Sequence, residues 1–353
     1  MKPTPAEMIA RLCTALEPDF RLMPLEAPEA PLFLAVAVPT GEGVTGRKPR
    51  LPAGRGMTTG QALLSAGAEA LELRASLAQH HLAELRDLPR REGLAMAAAV
   101  DLLNHETVAV PAQAVYLDCA EVLAEPLRLE ADSTGCAAGG DRDGALAAAL
   151  WECVERDAVA LWWHGQRPAA ALPLDLIDAQ QPRLYWWLHQ RARRTLLLDL
   201  TSDIGLPVVA AVSSEDDGRL VATGTAARPV LADAALAAVT EMVQTEVGME
   251  LARAAEDPEV LAWIGQGSTR EQPQFRASGG QKDSREMGHE ALLARLAALG
   301  LRALAIDLSL PGDPLASVRV MVPGLCAMRG RTAVPRFARL CPGVAAPALP
   351  EPY

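Results

Sequence analysis

The stretch DSTGCAAGGDRDGALAAALWECVERD, residues 132–157, carries more structural information than any other part of this chain. It opens with small residues and two adjacent glycines, which predicts a loop. It then passes into a run of Ala and Leu with no breaker, which predicts a helix. Near the helix end Glu152 and Glu155 stand three residues apart, so both carboxylates point the same way. Their neighbours in ALWECVE are mostly apolar, so the helix should be largely buried. Like charges held that close, away from water, call for a cation or a proton.

The same plan occurs twice more. GRGMTTGQALLSAGAEALE (54–72) brings Glu69 and Glu72 after a glycine loop, and GTAARPVLADAALAAVTEMVQ (224–244) brings Glu241 and Gln244. In the first two segments a glycine, Gly56 or Gly139, lies thirteen residues before the first Glu. A repeated spacing is harder to produce by chance than a lone motif. Two E-x-x-E pairs converging on one cavity would suit Mg²⁺ ions carrying a polyphosphate. Arg156, directly after Glu155, could meet phosphate as a rigid fork. The competing reading is a set of solvated carboxylates at the ends of amphipathic helices.

Outward from these segments the pattern is α/β. Residues 5–16 predict an amphipathic helix and 32–39 a buried strand; 58–80 and 89–103 read as helices. Residues 108–118 suggest a strand pair, and 195–202 and 206–214 adjacent strands, followed by a strand at 220–226. A helix is predicted over 232–254, a helix then a strand over 291–308, and a strand over 318–325. The polar stretch 266–288 reads as a mobile loop. The Pro-rich tail 341–353 cannot be regular helix or sheet. A single catalytic domain over 1–340 is expected, with 1–40 supplying a leading helix and strand.

Composition narrows the function. The 353 residues carry a net charge of −11, which argues against nucleic acid as the main partner. No signal peptide is evident and no apolar run approaches the ~18 residues of a membrane span, so a cytoplasmic protein is expected. The six cysteines form no CxxC pair and read as reduced, buried thiols. The six histidines show no metal-ligand spacing. Trp162, Trp163, Trp186 and Trp187 read as packing residues. Cys136 beside the predicted site is either a small packed residue or a thiol nucleophile.

At these residues the chain resembles the YcaO family, over roughly residues 40–340. GRGMTTGQALLSAGAEALELR resembles the family's first motif, DSTGCAAGG with ECVERD its second, and GTAARPVLADAALAAVTEMVQ its third; LLNHETVAVPAQAVYLD and VRVMVPGL also resemble family segments. The resemblance implies a YcaO-like α/β (α+β) fold of mixed sheets with packed Ala-rich helices. Its ATP site has no Walker loop, and no GxxxxGK[ST] occurs here. It also implies ATP and Mg²⁺ as cofactors and activation of a peptide-backbone amide by phosphorylation of its oxygen. Carried over, Glu69, Glu72, Glu152 and Glu155 are the metal–phosphate residues, and Arg156 a phosphate or ion-pair residue. Gly54, Arg55, Gly56, Ser65, Ser133, Glu241 and Gln244 are the further nucleotide-site residues.

The chain departs from the family pattern in four places. Leu73 stands where Arg is usual, with Arg74 displaced by one. Arg55 replaces Lys. Gly144 takes a position often held by Glu, and Glu246 one often held by a basic residue. The short chain, with no fused peptide-binding domain, resembles members that work with a TfuA-type protein. The leading expectation is thioamidation of a ribosomally made precursor peptide with a TfuA-like sulfide-delivering partner. Azoline formation with a separate leader-binding protein is the alternative, for which the proline-rich end PALPEPY speaks. An inactive ATP-binding scaffold is the third reading. A homodimer is compatible with the sequence.

Overall fold

The computed structural model describes residues 3–25, 30–48, 50–277, 286–327 and 331–344. In chain order the elements begin with α1 (Pro5–Leu16), β1 (Phe20–Leu25), β2 (Phe33–Pro39), β3 (Ala53–Gly56), α2 (Thr59–Ser76) and α3 (Leu82–Asp87). Next come β4 (Arg90–Arg91), β5 (Leu94–Asp101), β6 (Thr107–Pro111), α4 (Cys119–Val122), β7 (Cys136–Gly139) and α5 (Arg142–Trp163). The chain continues with β8 (Ala170–Leu172), α6 (Pro182–Gln190), β9 (Arg194–Asp199), β10 (Val208–Ser214), β11 (Ala222–Ala227) and α7 (Leu231–Ala254). It ends with α8 (Pro258–Gln266), α9 (His289–Ala298), β12 (Leu304–Asp307), β13 (Ala316–Met321) and α10 (Pro335–Leu340). The fold is α/β, and every pairing between these strands is antiparallel.

The chain divides into two compact units. The first comprises residues 1–26, 33–153 and 296–323. It holds a three-stranded sheet, β1-β2-β3, and a six-stranded sheet in which β4-β5-β12-β13-β7 run in order and β6 pairs with β5. Helix α1 starts on a capping box between Thr4 and Glu7 and buries Leu12 and Leu16. Those two leucines join Phe20, Leu71 and Leu77 in one core, and the small residues Ala35, Ala62 and Ala66 form another where α2 lies on β2.

Residues 89–103 overturn the expected helix: they form β4, a turn and β5. Glu92 and Gly93 both have positive φ, 51° and 83°, the two-residue turn that reverses a hairpin. Ala95, Ala97 and Ala99 are buried in a core with Leu304 and Ile306 of β12. Strand burial on that core outweighs the helix preference of alanine. Of the strand pair expected over 108–118, only β6 forms; Ala112–Ala114 make a 3₁₀ turn.

The second unit comprises residues 27–32, 154–295 and 324–353. Its sheet runs β11-β10-β9-β8. Trp162 packs edge-on with Trp163 and Phe275, and Trp163 lies tilted against Phe275 and Trp263. Part of the stretch expected as a mobile loop is therefore core: Ser268, Gln274 and Phe275 are buried. Residues 278–285 of that stretch and 345–353 of the proline-rich tail lie outside the described residues.

Candidate nucleotide and metal site

All three repeated segments fold as strand, tight turn and helix: β3 into α2, β7 into α5, β11 into α7. The strand glycines explain the repeat. A Cβ on Gly54 would lie 2.1 Å from the Ala66 nitrogen and 2.4 Å from the Ala62 oxygen. On Gly224 it would lie 2.2 Å from the Met242 nitrogen and 2.3 Å from the Ala238 oxygen. On Gly139 it would lie 2.9 Å from the Ala145 nitrogen. Strand and helix backbones touch, so only glycine fits the strand and only small residues fit the helix face. That contact brings the glutamates of the helix alongside the strand that precedes it.

In the first unit three predicted carboxylates come together. Glu69 Oε2 accepts from the Ala53 nitrogen on β3 at 3.2 Å, and Glu152 Oε2 accepts from the Gly135 nitrogen at 3.1 Å. Glu72 is half-buried and has no hydrogen bond or ion pair among the described residues. Burial first, then the charges of Glu152 and Glu69, push its carboxyl well above the usual range, against the opposing field of Arg319. Among the described residues, no group of three or more His, Cys, Asp or Glu side chains is already arranged to hold a metal ion. The donor set nevertheless suits Mg²⁺, a hard cation that takes one or two carboxylates and completes its shell with water and phosphate oxygens. Ser65 is exposed on α2, one turn before Glu69 and on the same helix face. Ser133 is exposed in the turn before β7, and Gly54, Arg55 and Gly56 lie on β3.

One departure in this unit, the displaced Arg74, has a structural explanation. Arg74 is buried, pairs with Asp313 and with Asp19 (3.3 Å), and donates to the Ala15 carbonyl. It ties α1 and the 309–315 loop to α2. Gly144 sits exposed in the first turn of α5, its N–H donating to Asp141 at 2.9 Å.

In the second unit Glu155 is buried. Its Oε1 accepts from the Thr225 hydroxyl at 2.7 Å and its Oε2 from the Ala227 nitrogen at 3.2 Å. It is thus held on β11 as Glu69 is held on β3. Arg156, Glu241 and Gln244 are half-buried, and Glu241 flanks Gly224. Glu246 is absorbed by Arg191 (2.7 Å) and Arg193 (3.4 Å), an ion-pair role that accounts for its acidic identity.

Sequence reasoning passed over two residues. Asp157, the last residue of ECVERD, is fully buried and grips Arg336 through both oxygens while accepting from the Cys326 nitrogen. An Asp in an apolar helix stretch was the available signal. Arg319 is fully buried on β13, and its alternation within VRVMVPGL gave no sign of it. Cys136 is buried and its thiol is pushed up to about 12 by that burial, which does not suit a thiolate nucleophile.

The model of the YcaO cyclodehydratases, described as ATP- and Mg²⁺-binding, matches residues 75–326, beginning just after Glu69 and Glu72. An uncharacterised protein in the tfuA 3′ region of Rhizobium leguminosarum bv. trifolii is 30% identical over 261 residues, 65% of this chain and 60% of that protein. The chain thus spans less than two thirds of that relative. YcaO from Methanopyrus kandleri, solved with AMPPCP and Mg²⁺, shares 22% identity at a TM-score of 0.68, covering 99% of this chain and 96% of that one. A heterocyclase in complex with substrate and cofactor shares 22% identity at a TM-score of 0.75, covering 92% of this chain and 52% of that one. No helix among the described residues is long and apolar enough to cross a membrane. With well over half its length matched by the family model, and with the same fold, this chain belongs to the YcaO family of ATP- and Mg²⁺-binding proteins.

Proposed function

We propose that this chain activates a backbone amide of a ribosomally made precursor peptide with Mg·ATP, and that a TfuA-like partner delivers the sulfide that makes it a thioamide. The observation that carries the nucleotide reading is the state of Glu72, a half-buried carboxylate beside Glu69 and Glu152 whose charge a bound cation would offset. The relative named for its place in the tfuA 3′ region supports the sulfide route. ATP supplies the phosphoryl group that turns the amide oxygen into a leaving group. Sulfur bonds to the carbonyl carbon, the carbon–oxygen bond breaks, and the oxygen departs as phosphate.

In this reading Glu69, Glu72, Glu152 and Glu155 are the metal–phosphate residues and Arg156 meets phosphate charge. Ser65, Ser133 and the Gly54–Gly56 strand line the nucleotide, with Glu241 and Gln244 shaping the site. Azoline formation, in which a Cys, Ser or Thr side chain attacks and water is lost overall, is the second reading. The fold likeness to heterocyclases favours it. An inactive scaffold is the third, for which Leu73 and Gly144 speak.

Coexpression with candidate precursor peptides, with and without a TfuA-like protein, tests all three by mass spectrometry. Exchange of oxygen for sulfur that needs the TfuA-like protein is expected. Loss of water would replace thioamidation with azoline formation. An unmodified peptide together with no Mg²⁺-dependent ATP binding would leave the scaffold.

A further inference from the structure

Arg319 lies on β13 in the interior of the six-stranded sheet and has no exposed surface. Its Nη1 donates to the Val115 carbonyl at 2.9 Å and stands 3.7 Å from Cys136 Sγ. Its Nη2 is 3.8 Å from an Asp132 oxygen, a distance for charge attraction and not for a hydrogen bond. Among the described residues Nε and Nη2 have no hydrogen-bond partner. A guanidinium held away from water and only partly bonded is costly, and a well-packed apolar side chain would avoid that cost. Stability alone therefore gives little reason for an arginine here.

Its surroundings supply one. Arg319 pairs in register with Cys136 of β7. The next residue, Val320, donates from its nitrogen to the Gly135 carbonyl at 2.7 Å, and its own carbonyl accepts from Cys153 Sγ at 3.3 Å. The Gly135 nitrogen is the one that donates to Glu152. Asp132 closes the same turn by accepting from the Thr134 nitrogen at 3.0 Å. Gly135 has φ +77°, and a Cβ there would lie 2.0 Å from the Val320 oxygen. The 132–136 turn is thus pressed between β13 and Glu152, with the Arg319 charge facing Asp132.

We propose that Arg319 is a positioning residue for Glu152, holding the 132–136 turn through Val115 and Asp132 so that the Gly135 N–H stays on the Glu152 carboxylate. Its effect on metal binding rests on the nucleotide reading above; its effect on the turn does not. Two variants, Arg319→Met and Arg319→Lys, separate the parts: Met removes the charge, and Lys keeps it with a single nitrogen that cannot both bond Val115 and face Asp132.

Hydrogen exchange of the full chain should show faster exchange over 132–136 in Arg319→Met than in the wild type. Calorimetric titration with Mg·AMPPCP should show affinity lowered by about tenfold in Arg319→Met, the loss expected for a residue that orients a metal ligand. Arg319→Lys should fall between Met and wild type in both measurements. Unchanged exchange over 132–136 in whichever variant folds would overturn the proposal, as would loss of folding in both, which would make Arg319 a stability residue. Should the wild type itself fail to bind Mg·AMPPCP, the nucleotide reading falls, and the exchange measurement still decides the role of Arg319.

Discussion

Gly224→Ala tests the contact on which the third strand–turn–helix segment is built. The added methyl would lie 2.2 Å from the Met242 nitrogen, 2.3 Å from the Ala238 oxygen and 2.7 Å from Glu241 Cβ. Ordinary contact begins near 3.4 Å, so α7 and β11 would have to part by about an ångström. Two of the three obstacles are backbone atoms, which no rotamer change can move. The strain therefore belongs at the upper end of overpacking costs, about 3 kcal/mol. In the proposed reading, where Glu241 shapes the nucleotide site, its displacement should lower nucleotide affinity as well. Gly140→Ala is the control, since its methyl would meet nothing within 4 Å; a surface change of that kind should stay within about 0.5 kcal/mol. Urea unfolding of both variants and the wild type, followed by tryptophan fluorescence, gives the comparison; the second unit holds Trp162, Trp163 and Trp263 in its core. A Gly224→Ala protein as stable as the Gly140→Ala protein would refute the account of why the repeat carries strand glycines.

Four further outcomes are expected. Glu152→Gln should abolish Mg²⁺-dependent turnover while the protein stays folded; Glu155→Gln should also cost about 1–2 kcal/mol, because its amide would turn a donor toward the Thr225 hydroxyl or the Ala227 N–H, and full turnover in both would remove them from the site. Arg74→Met leaves Asp313 and Asp19 without their cation and should destabilise by about 3 kcal/mol with nucleotide affinity per folded molecule unchanged; a change in affinity would give Arg74 a role at the phosphate site. Because the Glu72 carboxyl is raised in the folded state, the folded protein binds more protons than the unfolded chain between the two pKa values. Its contribution to stability therefore falls as pH rises through that window. Melting curves across pH should show that fall without Mg²⁺ and lose it in Glu72→Gln. Iodoacetamide should label exposed Cys13 and spare Cys119, Cys136 and Cys153 in the native protein, as mapped by mass spectrometry.

Where a local signal agrees with the tertiary environment, the sequence is legible. Helix α1 matches residues 5–16 because its capping box and its Leu12–Leu16 face say the same thing. The β9–β10 pair is recognisable from two runs of branched apolar residues. The stretch 89–103 misleads because alanine is counted as a helix former, while the turn at Glu92 and Gly93 depends on two positive φ values that composition does not reveal. The site is legible to a similar degree. Spacing alone puts Glu69 with Glu72 and Glu152 with Glu155, one helical turn apart. It cannot say that Glu155 is taken up by β11, that Glu246 answers Arg191, or that Arg74 is spent on Asp313, because those partners come from distant parts of the chain.

The buried charges sort themselves by how they are compensated. Asp157 and Asp203 share Arg336, Glu246 has Arg191 and Arg193, and Asp313 and Asp19 share Arg74, each at ion-pair distance. Each carboxylate in these sets has a guanidinium at ion-pair distance, which offsets the cost of burying it. Glu72 differs. It has two carboxylates for neighbours, and its opposing charge, Arg319, acts on it as a field and not as a bonded partner. Among the described residues Glu72 has no hydrogen bond or ion pair, so its charge calls for a cation or a proton. Where those carboxylates each meet an arginine, Glu72 meets two further carboxylates, and in the proposed reading the charge of Mg²⁺ would answer it.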